Sequence, residues 1–411
     1  MPKPQRSKKR LKRFNLRVNL LNPELFKFTA LAIVSIFLLV WQIGFLTINK
    51  INNTELITKN KLITSGPWWK SIIHIYGPYY SLLHATYALN HTLLGFRLAS
   101  ILCGFISALL VYYALNQYHG HKISILASSL YITNFGFLVV SRQASPIASQ
   151  LLLLIALTCL TLLLNKKPNL ISLAITVITL SGLLYIPGAI WLIITTTIIS
   201  YRSLKKAIND TGHLINMLLI LLGLLIITPL IYSLVRYYSI NRLIYYLGYN
   251  LHGKLTALKT FALNLAYTPF SLFIHSFNSQ GTITLGHLPI IPIAESLIII
   301  VGFYYYFKHL NNYRWRSLLI IIAVSWLLTG FGVISYYSLL PLMTIVAGTG
   351  LAYLLKEWYG VFPFNKIARI SGLILMSAVI IYTGFYSAHS YFIAWGRDPQ
   401  ILNQYDKSLK S

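Results

Sequence analysis

Between two strongly apolar segments the chain reads Asn52-Asn53-Thr54-Glu55-Leu56-Ile57-Thr58-Lys59-Asn60-Lys61-Leu62-Ile63-Thr64-Ser65-Gly66-Pro67-Trp68-Trp69-Lys70, then Ile75-Tyr76-Gly77-Pro78-Tyr79-Tyr80-Ser81-Leu82-Leu83-His84. The apolar segment before it fills positions 28–48. The one after it opens with Gly95-Phe96-Arg97-Leu98-Ala99-Ser100 and runs to Leu115. Each is about 20 residues, enough for a helix to cross about 30 Å of hydrocarbon. The piece between them holds one acid, Glu55, in a chain with 34 Lys and Arg against 7 Asp and Glu. A carboxylate in so acid-poor a sequence, at a membrane mouth lined with aromatics, is the leading site residue. The rest of the chain reads as the scaffold for this loop.

Composition supports that frame. Of 411 residues, 56% are hydrophobic and 10% charged, with a mean hydropathy of +0.66. A soluble domain carries about a quarter charged residues. Apolar runs of spanning length recur along the whole chain, and lipid admits them only as helices that satisfy their own backbone groups. The expectation is an all-α polytopic protein integral to the plasma membrane, with the bilayer as its first partner. The net charge of +27 suggests nucleic acid in a soluble protein. Here most of the cations fall in short connections between spans, the positive-inside pattern, and no nucleic-acid partner is expected. Cys103 and Cys159 lie inside apolar runs and read as small packing residues.

About eleven spans are expected, near 28–48, 93–115, 123–141, 147–164, 169–186, 188–201, 214–235, 289–307, 317–333, 336–355 and 370–391. With the basic tail 1–27 in the cytoplasm, every short inner connection carries Lys or Arg, and the C-terminus falls outside. The basic start leads into an apolar run of full length, so it anchors and is not a cleaved leader. The division is a cytoplasmic tail 1–27, a membrane domain 28–393 and a short outer tail 394–411. Two outer connections are long, the first (49–92) and the fourth (236–288). Both mix aromatics, aliphatics and cations, which suits amphipathic segments lying in the interface.

Ionisable groups at membrane depth are costly and are functional hypotheses by default. Glu24, Asp210 and Glu357 fall in cytoplasmic segments, and Asp398 and Asp406 in the outer tail beside Arg397, Lys407 and Lys410. Ordinary surface pairing explains these. Glu295, after Pro289 and Pro292 at the start of the eighth span, can face a cavity; Glu55 remains the outer acid nearest the aromatic mouth. The eleven histidines show no zinc spacing, and there is no phosphate-binding loop or dinucleotide fingerprint. No metal site is expected.

A single outer acid beside cations suits transfer of a group from a lipid-linked phosphate. The phosphate is already a leaving group, so the protein needs to take one proton from the acceptor and neutralise the phosphate. Glu55 is the expected base. Arg142, Lys70 and Arg97 are the expected phosphate ligands, Arg by a bidentate fork, although each can instead reach out to lipid headgroups. Tyr79, Tyr80, Trp68 and His74 are expected to line the substrate cavity, or to pack as part of the aromatic belt.

The order of short motifs resembles the N-terminal half of membrane glycosyltransferases of the GT-C class, in particular the protein mannosyltransferase and aminoarabinose-transferase branch. The motifs are Thr54-Glu55; Ser65-Gly66-Pro67-Trp68; Gly77-Pro78-Tyr79-Tyr80; Arg97-Leu98-Ala99-Ser100; His119-Gly120-His121-Lys122; and Ser141-Arg142-Gln143-Ala144-Ser145-Pro146, with Pro341-Leu342 in a late span. The resemblance implies a GT-C-like fold, a polyprenyl-phosphate-linked sugar as donor and inversion at the sugar carbon. The acceptor is then a glycan, lipid or protein on the outer face. No cofactor beyond the donor is implied, and a divalent metal is left open. The chain departs from the pattern at Thr54, where the family has its catalytic Asp, and at Ser145-Pro146, where it often has a second. These departures keep a competing class in play: a non-catalytic protein that binds or translocates a lipid carrier, or an inactive relative of the transferases.

Overall fold

The structure, a computed structural model, describes residues 23–41, 50–64, 68–237, 239–249, 254–275, 285, 288–398, 401 and 407–408. The first 22 residues of the basic tail, the Ser65-Gly66-Pro67 turn and most of 399–411 lie outside them, as do the side chains of Trp68 and Trp69.

The chain is helical almost throughout. Helix α1 (Pro23–Val40) enters the bundle; a two-residue strand β1 (Lys50–Ile51) and three short helices follow, α2 (Asn53–Thr64), α3 (Trp68–Ser71) and α4 (Gly77–Leu89). Then come α5 (Leu93–His119), α6 (His121–Thr133), α7 (Phe135–Arg142), α8 (Ile147–Lys166), α9 (Leu170–Leu183), α10 (Ala189–Asp210) and α11 (His213–Arg236). The second long connection contains α12 (Ile240–Tyr246) and α13 (Lys254–Phe273). Helices α14 (Ile293–Lys308), α15 (Tyr313–Gly330), α16 (Leu340–Val361) and α17 (Lys366–His389) complete the bundle, and β2 (Lys407–Ser408) returns to pair antiparallel with β1. That pairing puts the C-terminal end on the same side of the bundle as the 50–89 loop.

Local sequence sets the breaks. Thr92 caps α5, its hydroxyl accepting the Gly95 N–H at 3.4 Å, and Gly120, at φ 78°, turns the chain into α6. Asn169 and Ser172 close a reciprocal capping box at the start of α9, which satisfies two of the amide donors a helix start leaves over.

The bundle is centred on α16, where every residue from Leu340 to Leu351 is buried. Helix α14 lies directly against it: a Cβ on Gly302 would sit 2.1 Å from the Val346 carbonyl oxygen, and one on Gly350 2.1 Å from that of Ile298. Small residues are what allow two membrane helices so close an approach. At the rim the pattern reverses. Leu214, Leu221 and Leu225 on α11, and Ile367, Ile374 and Ile381 on α17, are more than half exposed. An apolar outer surface is stable where the solvent is lipid. The chain is an integral membrane protein.

Each expected span lies at least in part on a helix, residues 42–49 of the first falling outside the described residues, but the count is not reached. Among the described residues five helices are long and apolar enough to cross a membrane alone: Leu93–His119, Ile147–Lys166, His213–Arg236, Tyr336–Val361 and Lys366–Arg397. The expected span 123–141 is a broken one, α6 and α7 meeting at 60°. Counted as one crossing, that pair makes six. Others fall short for a geometric reason: α9 has 14 residues and α14 has 16, about 21 and 24 Å of helix. The expected span 188–201 and the connection after it form one helix, so Arg202, Lys205 and Lys206 ride on the end of α10. The first long connection holds the short helices α2, α3 and α4, and the second holds α12 and the 20-residue α13, which lies along α15.

Candidate functional site

Glu55 sits at the third helical position of α2, and the Asn52 side chain caps that helix by accepting the Glu55 N–H at 2.7 Å. The Glu55 carboxylate reaches back to the Asn52 N–H at 3.3 Å, a capping box with Asn and Glu. The same carboxylate takes the guanidinium of Arg97, from the first turns of α5: Nε to Oε1 at 2.7 Å and Nη2 to Oε2 at 2.8 Å. A fourth donor, the Ala144 N–H after α7, reaches Oε1 at 3.0 Å. The two side chains are 0% and 6% exposed. Beside them the Tyr79 hydroxyl lies 2.8 Å from Ser100 Oγ, which also accepts the Ser145 N–H at 3.4 Å. One buried ion pair thus ties the loop helix α2 to α5 and to the α7–α8 turn.

This geometry places three of the expected site residues away from the cavities. Both Glu55 oxygens are occupied, and the residue lines none of three cavities of the bundle. Four hydrogen bonds, two of them from one guanidinium, hold the carboxylate in place. Arg97 is likewise committed to Glu55. Arg142 is also turned inward. It donates to the Trp41 carbonyl at 2.6 Å and lies 5.0 and 4.9 Å from the rings of Tyr391 and Phe392, joining α1, α7 and the C-terminal helix. Lys70 is exposed on α3. Glu295 is 3% exposed, and its Oε2 accepts weakly from Asn134 Nδ2 at 3.5 Å. It adjoins a cavity of about 480 Å³ without being part of its wall.

Two other cavities meet at the loop end. The larger, about 670 Å³, is an apolar groove between α5, α8 and α9. Leu82, Ile106, Leu110, Leu152, Leu163 and Ile175 form its walls, and Tyr76 and Tyr79 close its loop end. The other, about 380 Å³, is lined by Lys61, His74, Ile75, Tyr76, Tyr80, Arg242 and Tyr245. Tyr76 belongs to both. The smaller pocket has two cations and an imidazole, and no carboxylate among its lining residues. Lys61 stands 5.7 Å from the Tyr80 ring centroid, and Arg242 is steadied by the Ser233 hydroxyl at 2.7 Å and the Tyr237 ring at 5.4 Å. Burial, then the charges of Arg242 and Lys61, holds the His74 imidazole below its ordinary pKa, and burial lowers that of Lys61.

The backbone at Tyr76 is unusual. Its φ of 61° makes it the non-glycine residue with a left-handed backbone among the described residues, a conformation that costs a bulky side chain about 1–3 kcal/mol. Three contacts hold it: its N–H donates to the Tyr185 carbonyl at 2.9 Å, its carbonyl accepts the Tyr80 N–H at 3.0 Å, and Gln150 Nε2 donates to its hydroxyl at 2.7 Å.

Of the residues the sequence singles out, His74, Tyr79 and Tyr80 lie at these cavities, whereas Glu55, Arg97 and Arg142 lie in ion-pair and cation–ring contacts outside them. Sequence reasoning missed Arg242 and Gln150. The local signal at Arg242 is the short amphipathic helix α12, capped where the Ser239 hydroxyl accepts the Arg242 N–H at 3.2 Å. Among the described residues no three His, Cys, Asp or Glu side chains come together in a metal-holding group.

No family model matches the chain, and no curated protein sequence matches it. Solved structures do. The Archaeoglobus fulgidus oligosaccharyltransferase, with an acceptor peptide containing the NVT sequon tethered by a disulfide bond, matches with a TM-score of 0.55 at 13% identity, over 90% of this chain and 55% of that one. The apo form of the same protein gives 0.52 at 13% identity, over 92% and 57%. ArnT from Cupriavidus metallidurans, bound to undecaprenyl phosphate, matches at 0.45 and 12% identity, over 92% and 76%. The chain has a GT-C-like membrane fold. It spans about half the length of the oligosaccharyltransferase it matches.

Proposed function

We propose that this protein is a membrane glycosyltransferase that moves a sugar from a polyprenyl-phosphate donor to an acceptor on the outer face of the plasma membrane. The observation that carries the reading is the junction of an apolar groove with a carboxylate-free cationic pocket at one shared residue, Tyr76. An isoprenoid phosphate has that same division: a long apolar chain ending abruptly in an anion. Burying the chain in the groove is favourable at roughly 25 cal/mol per Å², and Lys61 and Arg242 face the phosphate.

In the transfer, the acceptor oxygen forms a bond to the anomeric carbon while the bond from that carbon to the phosphate oxygen breaks. The electron pair stays on the phosphate, which gains one negative charge, and the acceptor proton leaves to a base. Lys61 and Arg242 stabilise the charge that develops, so they act more strongly on the transition state than on the donor. His74, kept neutral by burial and by those two cations, is the base within the pocket. Glu55 serves as base only after breaking its pair with Arg97; in the closed arrangement it positions the loop.

The alternative, a carrier-lipid-binding protein without chemistry, is favoured by the full engagement of Glu55 and the absence of an acid from the pocket wall. Both readings are tested by sugar release from a panel of polyprenyl-phosphate sugars, using the purified protein in lipid. Transfer by the wild type, falling about 10²-fold in His74→Gln, supports the enzyme. An equal fall in Glu55→Gln at unchanged thermal stability returns the base to Glu55. Donor binding with no turnover by the wild type establishes the carrier-binding reading and overturns the enzyme.

A further inference from the structure

Resting on the proposed lipid-phosphate site, we infer that Tyr76 is a positioning residue: its ring fixes where an isoprenoid phosphate crosses from the groove into the cationic pocket. Three independent observations point to it. Tyr76 is common to the linings of the two cavities. It is 7% exposed, its hydroxyl accepts from Gln150, and it shares the pocket wall with Tyr80 and Tyr245. Its backbone occupies the left-handed region at φ 61° and ψ 25°.

The last point carries the most weight. Glycine adopts that conformation without penalty, and the very next residue is Gly77, so the turn has a glycine one position away from where the strain falls. Gly77 has its own reason to lack a side chain: a Cβ there would stand 2.2 Å from the Ile72 carbonyl oxygen. The turn alone is better served by glycine at 76 as well. Strain of this kind persists where surrounding contacts over-determine it, and it points from the outlier to a use for the side chain. Gln150 supplies that over-determination. It donates to the Tyr76 hydroxyl and to the Val333 carbonyl (3.2 Å), and accepts the Ser335 N–H at 2.8 Å. The ring is thereby referenced to α8 and to the α15–α16 turn, not to the loop alone.

A ring so held sets the depth of the lipid. The phosphate lies on the Lys61 and Arg242 side, the first isoprene unit on the Pro78 and Tyr79 side, and the scissile bond keeps one distance from His74. The residue touches the ligand and does not exchange protons with it.

The test uses Tyr76→Asn, since Asn tolerates the left-handed backbone, and Tyr76→Gly, which removes both strain and ring. Each is compared with the wild type, in lipid, using a polyprenyl phosphate that carries a diazirine on its first isoprene unit. Peptide mapping of the crosslinks reads the register. In the wild type the crosslinks fall on residues at the loop end of the groove. In both variants they spread along the groove toward Leu110 and Leu163, read at a temperature where each variant is folded. In the transfer assay kcat falls about tenfold or more, with KM changed less than threefold. Unchanged crosslink positions and kcat in both variants overturn the assignment, leaving Tyr76 as a turn residue. A wild type that binds no polyprenyl phosphate in the groove overturns the proposed function instead, and this assignment with it.

Discussion

Glu55 and Lys61 lie less than two turns apart on the same short helix, α2, and their surroundings are opposite. Glu55 meets a bidentate Arg97 and two backbone amides and is 0% exposed. Lys61 opens into a pocket that it shares with Arg242 and His74, with no carboxylate in the wall. The first arrangement is electrostatically closed by the fold. The second leaves its cations facing a cavity. In a chain this poor in acids, the position of the few carboxylates decides which cations are paired within the core and which face a cavity.

Breaking the closed side should have the largest effect. Arg97→Ala leaves a buried carboxylate without its ion pair and is expected to destabilise the protein by about 3–5 kcal/mol, read as thermal unfolding in detergent. The double variant Glu55→Gln with Arg97→Met should recover most of that loss. A single variant that unfolds at the wild-type temperature would show that the pair does not hold the loop.

Disturbing the open side should spare stability and cost binding. Lys61→Ala and Arg242→Ala each remove a charge-assisted contact of about 1.5–3 kcal/mol, or about 10- to 100-fold in affinity for polyprenyl phosphate. Scintillation binding in lipid measures it. If the affinity holds while stability drops, the roles of the two sites are exchanged.

Tyr76→Phe sharpens the boundary between them. It keeps the ring and deletes the hydroxyl that accepts from Gln150, while Gln150 keeps the Val333 carbonyl. Stability is expected to fall by about 1 kcal/mol with the lipid register unchanged.

The smallest effect concerns pH. The folded-state pKa of His74 is lowered, first by burial and then by Arg242 and Lys61. The unfolded chain therefore binds the proton more readily than the folded one as pH falls below the ordinary histidine value of 6.5. Its contribution to stability is complete above that value and is lost on acidification toward the lowered pKa. His74→Gln should flatten the acid side of a plot of melting temperature against pH; an identical slope in the variant would remove His74 from the pocket's electrostatics.

Much of this was legible beforehand. Apolar runs at spanning length, basic connections and two aromatic-rich outer segments specify a membrane helical bundle from composition and periodicity alone. The motifs from Thr54 to Pro146 resemble GT-C transferases, and the fold agrees. The number of full crossings did not follow, because hydropathy registers an apolar run without seeing that α9 is only 14 residues long or that Asn134 breaks the run between α6 and α7. Asn134 does so by accepting the Gly136 and Phe137 amides, starting a new helix at an angle to the old one.

The site divides in the same way. Sequence alone placed Glu55, Arg97 and Tyr79 in one functional neighbourhood, since the motifs lie close along the chain and side chains so unlike lipid need a polar or aromatic setting. Only the tertiary structure decided that Glu55 and Arg97 neutralise each other, because pairing depends on two helix starts meeting with a planar fork against a carboxylate. It also decided that Arg242, far along the chain, completes the pocket of Lys61 and His74. A charge announces itself in sequence; whether the fold or a ligand supplies its counter-charge is settled by packing.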